Sequence, residues 1–259
     1  ELYSMMILPG ACVIMFGLMY HNRKKLTDEA HPVVGRRLTD RQPIFGGEGR
    51  TVFVAMGIIF VVGLCLCYFS ELAGNPKLAE IGLSQSMGSM EGKEIRIGSA
   101  ASAMWGMTTT VTSNGSVNSM HDSQTPLSGM LQMLNMQINC WFGGVGVGFM
   151  NYYAFIIIAV FISGLMVGRT PEFLGKKVEA REMKIATIVA LAHPFVILIG
   201  TAVACYYWVY NPAFVEAEGG WLNNPGFHGF SEMLYEYTSA SANNGSGFEG
   251  LGDNTYFWN

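Results

Sequence analysis

The sequence predicts an all-α membrane protein built from repeated helix–pore-loop–helix units, and three observations predict it. Long stretches carry no charge. Two small-residue stretches end in the same Asn-Gly-Ser loop. The whole unit around that loop occurs twice along the chain.

Half of the 259 residues are apolar and only 13% are charged, against roughly a quarter charged in an average soluble domain. Mean hydropathy is +0.30. No Asp, Glu, Lys or Arg occurs in residues 51–70, 97–121, 123–168 or 185–215. Charge-free apolar runs of 18 residues or more are candidates to cross the hydrocarbon layer, which takes about 20 helical residues. A soluble protein with so few charges would have trouble covering its own surface.

Taken in order, a helix is expected over about 4–20, then a basic loop over 21–50 and a clean span over about 51–70. The segment 71–96 carries turn signals at Gly74-Asn75-Pro76. From Ile97 to about Thr112 the residues are small and only mildly apolar, which suits a helix entering partway, with its pore loop within about 97–118. The next charge-free run, 123–168, is twice what one crossing needs, and Gly143-Gly144-Val145-Gly146 lies in its middle. Glycine at that density breaks helices, and non-helical backbone at membrane depth survives only buried in protein or beside water. The expectation is one spanning element, 128–168, interrupted beside an aqueous path. The rival reading is an external hairpin between two full helices. A basic loop follows over 169–183, then a span over about 184–209 containing His193-Pro194, an external segment, and a second pore loop within about 228–248.

The two basic loops, 21–50 and 169–183, together with Lys184 at the start of the next span, hold 12 of the 15 Lys and Arg residues. The positive-inside rule makes them cytoplasmic. Asp28, Glu29, Asp40 and Glu48 dilute the first loop, which argues against nucleic acid as a partner. Cys12, Cys65, Cys67, Cys140 and Cys205 all sit in apolar runs and read as small hydrophobes rather than a disulfide framework. The chain opens on Glu1 inside an apolar run and stops just after a pore-loop candidate, so the expectation is an internal piece of a longer protein.

Sliding the chain along itself until Thr108-Thr109 falls on Thr238-Ser239 also puts Asn114-Gly115-Ser116 on Asn244-Gly245-Ser246. Duplicated units of this kind are common in transport proteins. A dehydrated monovalent cation needs oxygens in place of its water shell, and backbone carbonyls supply them without the deep trap of a carboxylate. Glycine tolerates the backbone geometry such a loop demands. The bland alternative is an ordinary turn, since Asn-Gly is a turn signal anywhere. Both loops also fit a glycosylation sequon, which a pore position argues against. His121-Asp122 with His193 raises an intramembrane metalloenzyme, but nothing in their spacing gives three ligands a shared face. The better expectation is that His121 and Asp122 structure the outer mouth and that His193 is a packing or kink residue. No GxxxxGK[ST] phosphate loop is present, so ATP, if used, is used by another chain.

Several segments resemble one family closely and in its order. They are Met90-Glu91-Gly92-Lys93-Glu94, Met120-His121-Asp122-Ser123, Phe142-Gly143-Gly144-Val145-Gly146, Gly168-Arg169-Thr170-Pro171-Glu172, Leu174-Gly175-Lys176-Lys177, Arg181-Glu182-Met183-Lys184, His228-Gly229-Phe230-Ser231-Glu232 and Asn243-Asn244-Gly245-Ser246. They are similar to the channel-like, potassium-binding subunits of bacterial Kdp potassium-importing ATPases. That resemblance implies four helix–pore–helix repeats around one filter, related to potassium channels and to Trk and Ktr transporters. This chain would hold about two: the end of the second repeat (1–20), the third (51–168) and most of the fourth (184–259). It implies filter residues Thr112, Ser113, Asn114 and Gly115, with Ala242, Asn243, Asn244 and Gly245. Gly143, Gly144, Val145 and Gly146 would be a gating loop beneath them. The transported ligand would be K+, with no organic cofactor in this chain. The partners implied are a P-type ATPase catalytic subunit that hydrolyses ATP and small accessory membrane subunits, in the bacterial cytoplasmic membrane. The chain itself would be non-catalytic and multi-pass, with Arg169 to Lys184 as the first guess for docking. A gradient-driven Trk- or Ktr-like transporter is the alternative within the same class. The 21–50 loop is longer and more basic than the family leads one to expect.

Overall fold

In the computed structural model the protein is described over residues 48–142, 147–173 and 176–259. The expected helix 4–20, most of the basic loop 21–50 and all four gating-loop residues, Gly143, Gly144, Val145 and Gly146, lie outside the described residues.

Among the described residues the regular elements are α-helices, apart from one antiparallel pairing of two-residue strands, β1 (Glu172–Phe173) and β2 (Lys176–Lys177), in the basic loop, and an isolated bridge between Leu222 and Leu251. The long helices are α1 (Glu48–Ala73), α5 (Val147–Val167) and α6 (Ala180–Tyr210). The segments Val54–Glu80, Val147–Val167 and Ala180–Tyr210 are long and apolar enough to cross a membrane. Helices α3 (Gly98–Thr112), α4 (Pro126–Ile138) and α8 (Phe227–Ser241) are 15, 13 and 15 residues long. At 1.5 Å per residue the longest of these reaches about 22 Å, short of the roughly 30 Å hydrocarbon layer. Two short helices, α2 (Pro76–Glu80) and α7 (Pro212–Ala217), complete the set.

Local chemistry explains the boundaries. Proline opens α2, α4 and α7, where its missing N–H costs nothing. A capping box of Glu179 and Glu182 starts α6, each side chain accepting an otherwise orphaned backbone N–H. Asn139 ends α4 in the left-handed region at φ 44°, and its carbonyl accepts a bond from Asn151 Nδ2 on α5 at 2.9 Å. This bond ties the two helices across the glycine run. Pro194 sits inside α6 without ending it.

The three short helices lie among the long ones. α3 packs between α1 and α4, and α8 packs against α6 and α4. The distribution of polarity is inverted relative to a soluble protein. Ser102, Thr109, Thr110, Gln132, Glu71, Glu232 and Thr238 are buried, while Ile188, Leu191, Phe195 and Leu198 of α6 are all exposed. Water would penalise that arrangement; lipid favours it, provided every buried polar group has a partner. An apolar cluster of Met56, Cys67, Ala103, Met107 and Leu131 joins α1, α3 and α4. A second, around Trp221, Met233 and Leu251, seats α8 on its flanking segments.

Candidate functional site

The two Asn-Gly-Ser loops lie against one another. Each follows the C-terminus of a 15-residue helix, α3 or α8. In each, the residue before the Asn is left-handed, Ser113 at φ 53° and Asn243 at φ 55°. Each glycine also has positive φ, Gly115 at 81° and Gly245 at 94°. The asparagine then repeats its role. Asn114 Oδ1 accepts from Ser116 N at 3.1 Å, and Asn244 Oδ1 accepts from Ser246 N at 3.0 Å. Asn114 N donates to Thr109 O and Asn244 N to Ser239 O. Donors and acceptors both correspond under the shift that aligns the two loops, so the repeat read in the sequence is a repeat of hydrogen bonds.

The contact between the loops is close. Asn244 Nδ2 reaches across to the carbonyl of Thr109 on α3 at 2.7 Å. A Cβ on Gly115 would run into the Asn244 carbonyl oxygen, whereas one on Gly245 would meet nothing within 4 Å. Gly245 and Asn243 are exposed in this chain, while Asn244 is buried. Thr112 turns its hydroxyl back to Thr108 O at 2.8 Å, and Ala242 sits in an apolar cluster with Met136, Tyr235 and Phe248. Those two positions support the loops from behind; Ser113, Asn114, Gly115, Asn243, Asn244 and Gly245 form them.

An aromatic side chain from each helix braces the serine of its loop. Trp105 Nε1 donates to the Ser116 carbonyl at 3.0 Å. Tyr235, the counterpart of Trp105 in the second unit, hydrogen-bonds Ser246 Oγ at 2.9 Å. Ser246 Oγ donates to Asn244 Oδ1 at 2.6 Å, so the Tyr235 hydroxyl gives its proton to Ser246. His121 Nδ1, 3.0 Å from that hydroxyl, must therefore be the donor to it. Burial pushes the His121 imidazole down to about 4, so it stays neutral with its proton on Nδ1. Glu249 accepts the backbone N–H of both His121 and Asp122 at 3.1 Å. Its burial nonetheless raises its carboxyl above the ordinary range.

The metalloenzyme grouping does not assemble. His121 faces Tyr235, whereas His193 bonds Met136 O at 2.9 Å and Ser241 Oγ at 2.7 Å. His193 thus does more than pack beside Pro194, because it clamps α6 to the ends of α4 and α8. Sequence reasoning missed Trp105, Tyr235 and Glu249. The first two were available in the same shift that aligned the loops. It also missed the pairing of Lys93 with Glu71, which only folding of segment 71–96 brings together.

The family described as KdpA, potassium-transporting ATPase A subunit, matches residues 1–259. The potassium-transporting ATPase potassium-binding subunit of Parabacteroides distasonis is 66% identical over 259 residues. Its counterparts in Bacteroides thetaiotaomicron and Flavobacterium johnsoniae are 63% and 52% identical. Each alignment covers all of this chain and 42% of the relative, so the chain spans less than half the length of the curated proteins it matches. With loops, braces and inverted polarity all in one helical membrane fold, the chain belongs to the KdpA family of potassium-transporting ATPase A subunits.

Proposed function

We infer that this chain contributes two sides of a potassium filter, in a channel-like subunit that binds, selects and translocates K+ for an ATP-driven importer. The observation that carries the reading is the contact of the two Asn-Gly-Ser loops, Gly115 against the backbone of Asn244. Two equivalent loops abutting, each with a left-handed residue and a glycine, suit a ring of carbonyl ligands. The helices behind them add to this. α3 and α8 both end at the loops, and the C-terminus of a helix carries partial negative charge that favours a cation. No carboxylate belongs to either loop from 112 to 116 or from 242 to 246, which suits an ion that must leave as well as bind.

Ser113, Asn114, Gly115, Asn243, Asn244 and Gly245 would face the ion, with Thr112 and Ala242 as their support. The repeats over 51–168 and 184–259 would be the third and fourth of four, and the rest of the relatives' length would close the ring. The basic loops would face the cytoplasm of a bacterium. Gly143, Gly144, Val145 and Gly146 would interrupt the path beneath the filter. ATP would be hydrolysed by a P-type partner subunit, with small accessory membrane subunits in the same complex.

ATPase activity of the assembled complex across potassium concentrations tests this, for the natural chain and Gly245→Asp. A Cβ on Gly245 would meet nothing within 4 Å, so the cost of the substitution is that of its positive φ, which the assembly control reads. A carboxylate at a filter should weaken activation by K+ sharply or relax selectivity over Na+. Unchanged activation in a complex that assembles normally would make Gly245 part of a surface turn and end the filter reading.

A further inference from the structure

We propose that Asp122, His228 and Glu232 form a binding site for a divalent transition-metal ion of the zinc class, at the N-terminal end of α8. This goes beyond the potassium reading and does not depend on it.

His228 and Glu232 stand one turn apart on α8, and Asp122 meets them from the loop between α3 and α4. One ligand atom from each lies within 4.8 Å of the others. His228 Nε2 is 2.5 Å from Asp122 Oδ1 and 3.9 Å from Glu232 Oε1. Asn224 Nδ2 holds the carboxylates in place, at 2.8 Å from Glu232 Oε1 and 3.4 Å from Asp122 Oδ2.

Two further observations point to a ligand. Glu232 is wholly buried, yet its Oε2 has no hydrogen-bond partner. A buried carboxylate oxygen left bare is costly, and a cation held by both oxygens of Glu232 would satisfy it. Secondly, Gly250 makes room for the group. A Cβ there would run into Glu232 Oε1 and would come within 2.5 Å of Asp122 Oδ2. Only a glycine lets the chain pass while both carboxylates converge.

The donor set decides the class of ion. One imidazole nitrogen and two carboxylate oxygens suit zinc-like ions, bound at about 2.0–2.2 Å. Calcium and magnesium prefer six or more oxygens and have little use for the imidazole. Two carboxylates this close repel each other, and the ion would offset that repulsion. On binding, His228 Nε2 would give its proton to solvent while Nδ1 carries one, so that the neutral imidazole becomes the ligand through Nε2. The His228 side chain is 47% exposed while the Asp122 and Glu232 side chains are 9% and 0% exposed. That gives a buried anionic floor with one accessible arm as entry.

The ion would join α8 to the residue next to His121. From His121 the hydrogen bonds run through Tyr235 and Ser246 to Asn244. Occupancy would therefore brace the second Asn-Gly-Ser loop from outside and stabilise the folded form by mass action.

The experiment uses the full-length subunit in its assembled, untagged complex, stripped with a chelator. Co2+ is titrated and followed by its visible ligand-field absorption, then displaced with Zn2+. Thermal unfolding is measured with and without Zn2+. The expected result is one saturable Co2+ per subunit, displaced by Zn2+, with affinity reduced at least about tenfold in His228→Ala. Zn2+ should raise the unfolding temperature of the natural complex and not of that variant. His228 is half exposed, so the variant is expected to fold; Asn224→Ala, which loosens both carboxylates, serves as a second check. No saturable Co2+ signal, or the same binding and the same Zn2+ shift in His228→Ala, would overturn the proposal. The three side chains would then be a proton-bridged cluster. Neither result decides whether the two Asn-Gly-Ser loops form a K+ filter, which the Gly245→Asp experiment tests separately.

Discussion

Lys93 Nζ lies 2.8 Å from Glu71 Oε2, and both side chains are fully buried. The other oxygen of Glu71 accepts from Thr125 N at 2.8 Å and Thr125 Oγ1 at 2.7 Å. One carboxylate at the end of α1 therefore holds both the segment 74–97 and the start of α4, on either side of α3. Removing one partner leaves a buried charge alone, which costs about 3–5 kcal/mol. Lys93→Met should destabilise the purified complex by that order in thermal or denaturant unfolding. The double variant Lys93→Met, Glu71→Gln should recover part of the loss, because Gln Oε1 can still accept from Thr125. A double variant as unstable as the sum of both singles would contradict the pairing.

The two loop glycines should respond differently to one methyl group. Both have positive φ, a conformation that costs an L-residue about 1–2 kcal/mol. Only at Gly115 does the new Cβ also collide with backbone, at Asn244. Gly245→Ala should assemble with modestly reduced stability. Gly115→Ala should lose assembly outright or, on the filter proposal, activation by K+. Equal effects, measured by complex yield and ATPase activation, would mean that the loops do not touch.

Tyr235→Phe should cost more than Trp105→Phe. The Tyr235 hydroxyl serves both His121 and Ser246 in a fully buried position, and its loss strands two polar groups at about 1–3 kcal/mol each. Trp105 is only half buried, and the net value of its hydrogen bond is about 0.5–1.5 kcal/mol. Unfolding midpoints test the order. On the filter proposal, selectivity for K+ over Na+ should follow the same order.

Stability should fall on acidification through His121. Its folded value of about 4 lies below the ordinary 6.5, so the unfolded chain takes up the proton first. The contribution is fully present above pH 6.5 and is lost as pH falls from there towards 4, by up to about 3 kcal/mol. Unfolding of the natural complex and of His121→Asn across that range should diverge at high pH and converge towards the acid end. Parallel curves would mean that His121 is not held neutral by burial.

The membrane class, the long helices and the equivalence of the two loops were all legible in the residues. They are local properties: hydropathy over the length of one crossing, glycine and asparagine at turns, and a repeated string. The Asn114 and Asn244 turns were readable for the same reason, since each bonds a backbone N–H two residues on. What supports the loops was harder to read. The shift that aligns the loops also aligns Trp105 with Tyr235, but the change of residue type gave that pair no signal of its own. His193 looked like a kink residue because its partners, Met136 and Ser241, are 57 and 48 residues away.

By itself the sequence determined that this protein lives in a bilayer as helices and carries two copies of one glycine loop. Hydrocarbon tolerates no unpaired backbone, and glycine takes the positive φ of those turns at low cost. Tertiary structure decided that the copies abut through Gly115 and Asn244 and that Lys93 finds Glu71. It also decided that Asp122 meets His228 and Glu232. Each of those contacts joins residues on different elements, far apart along the chain. Partners so distant are set by which helices pack together, and no local pattern in the chain encodes that packing.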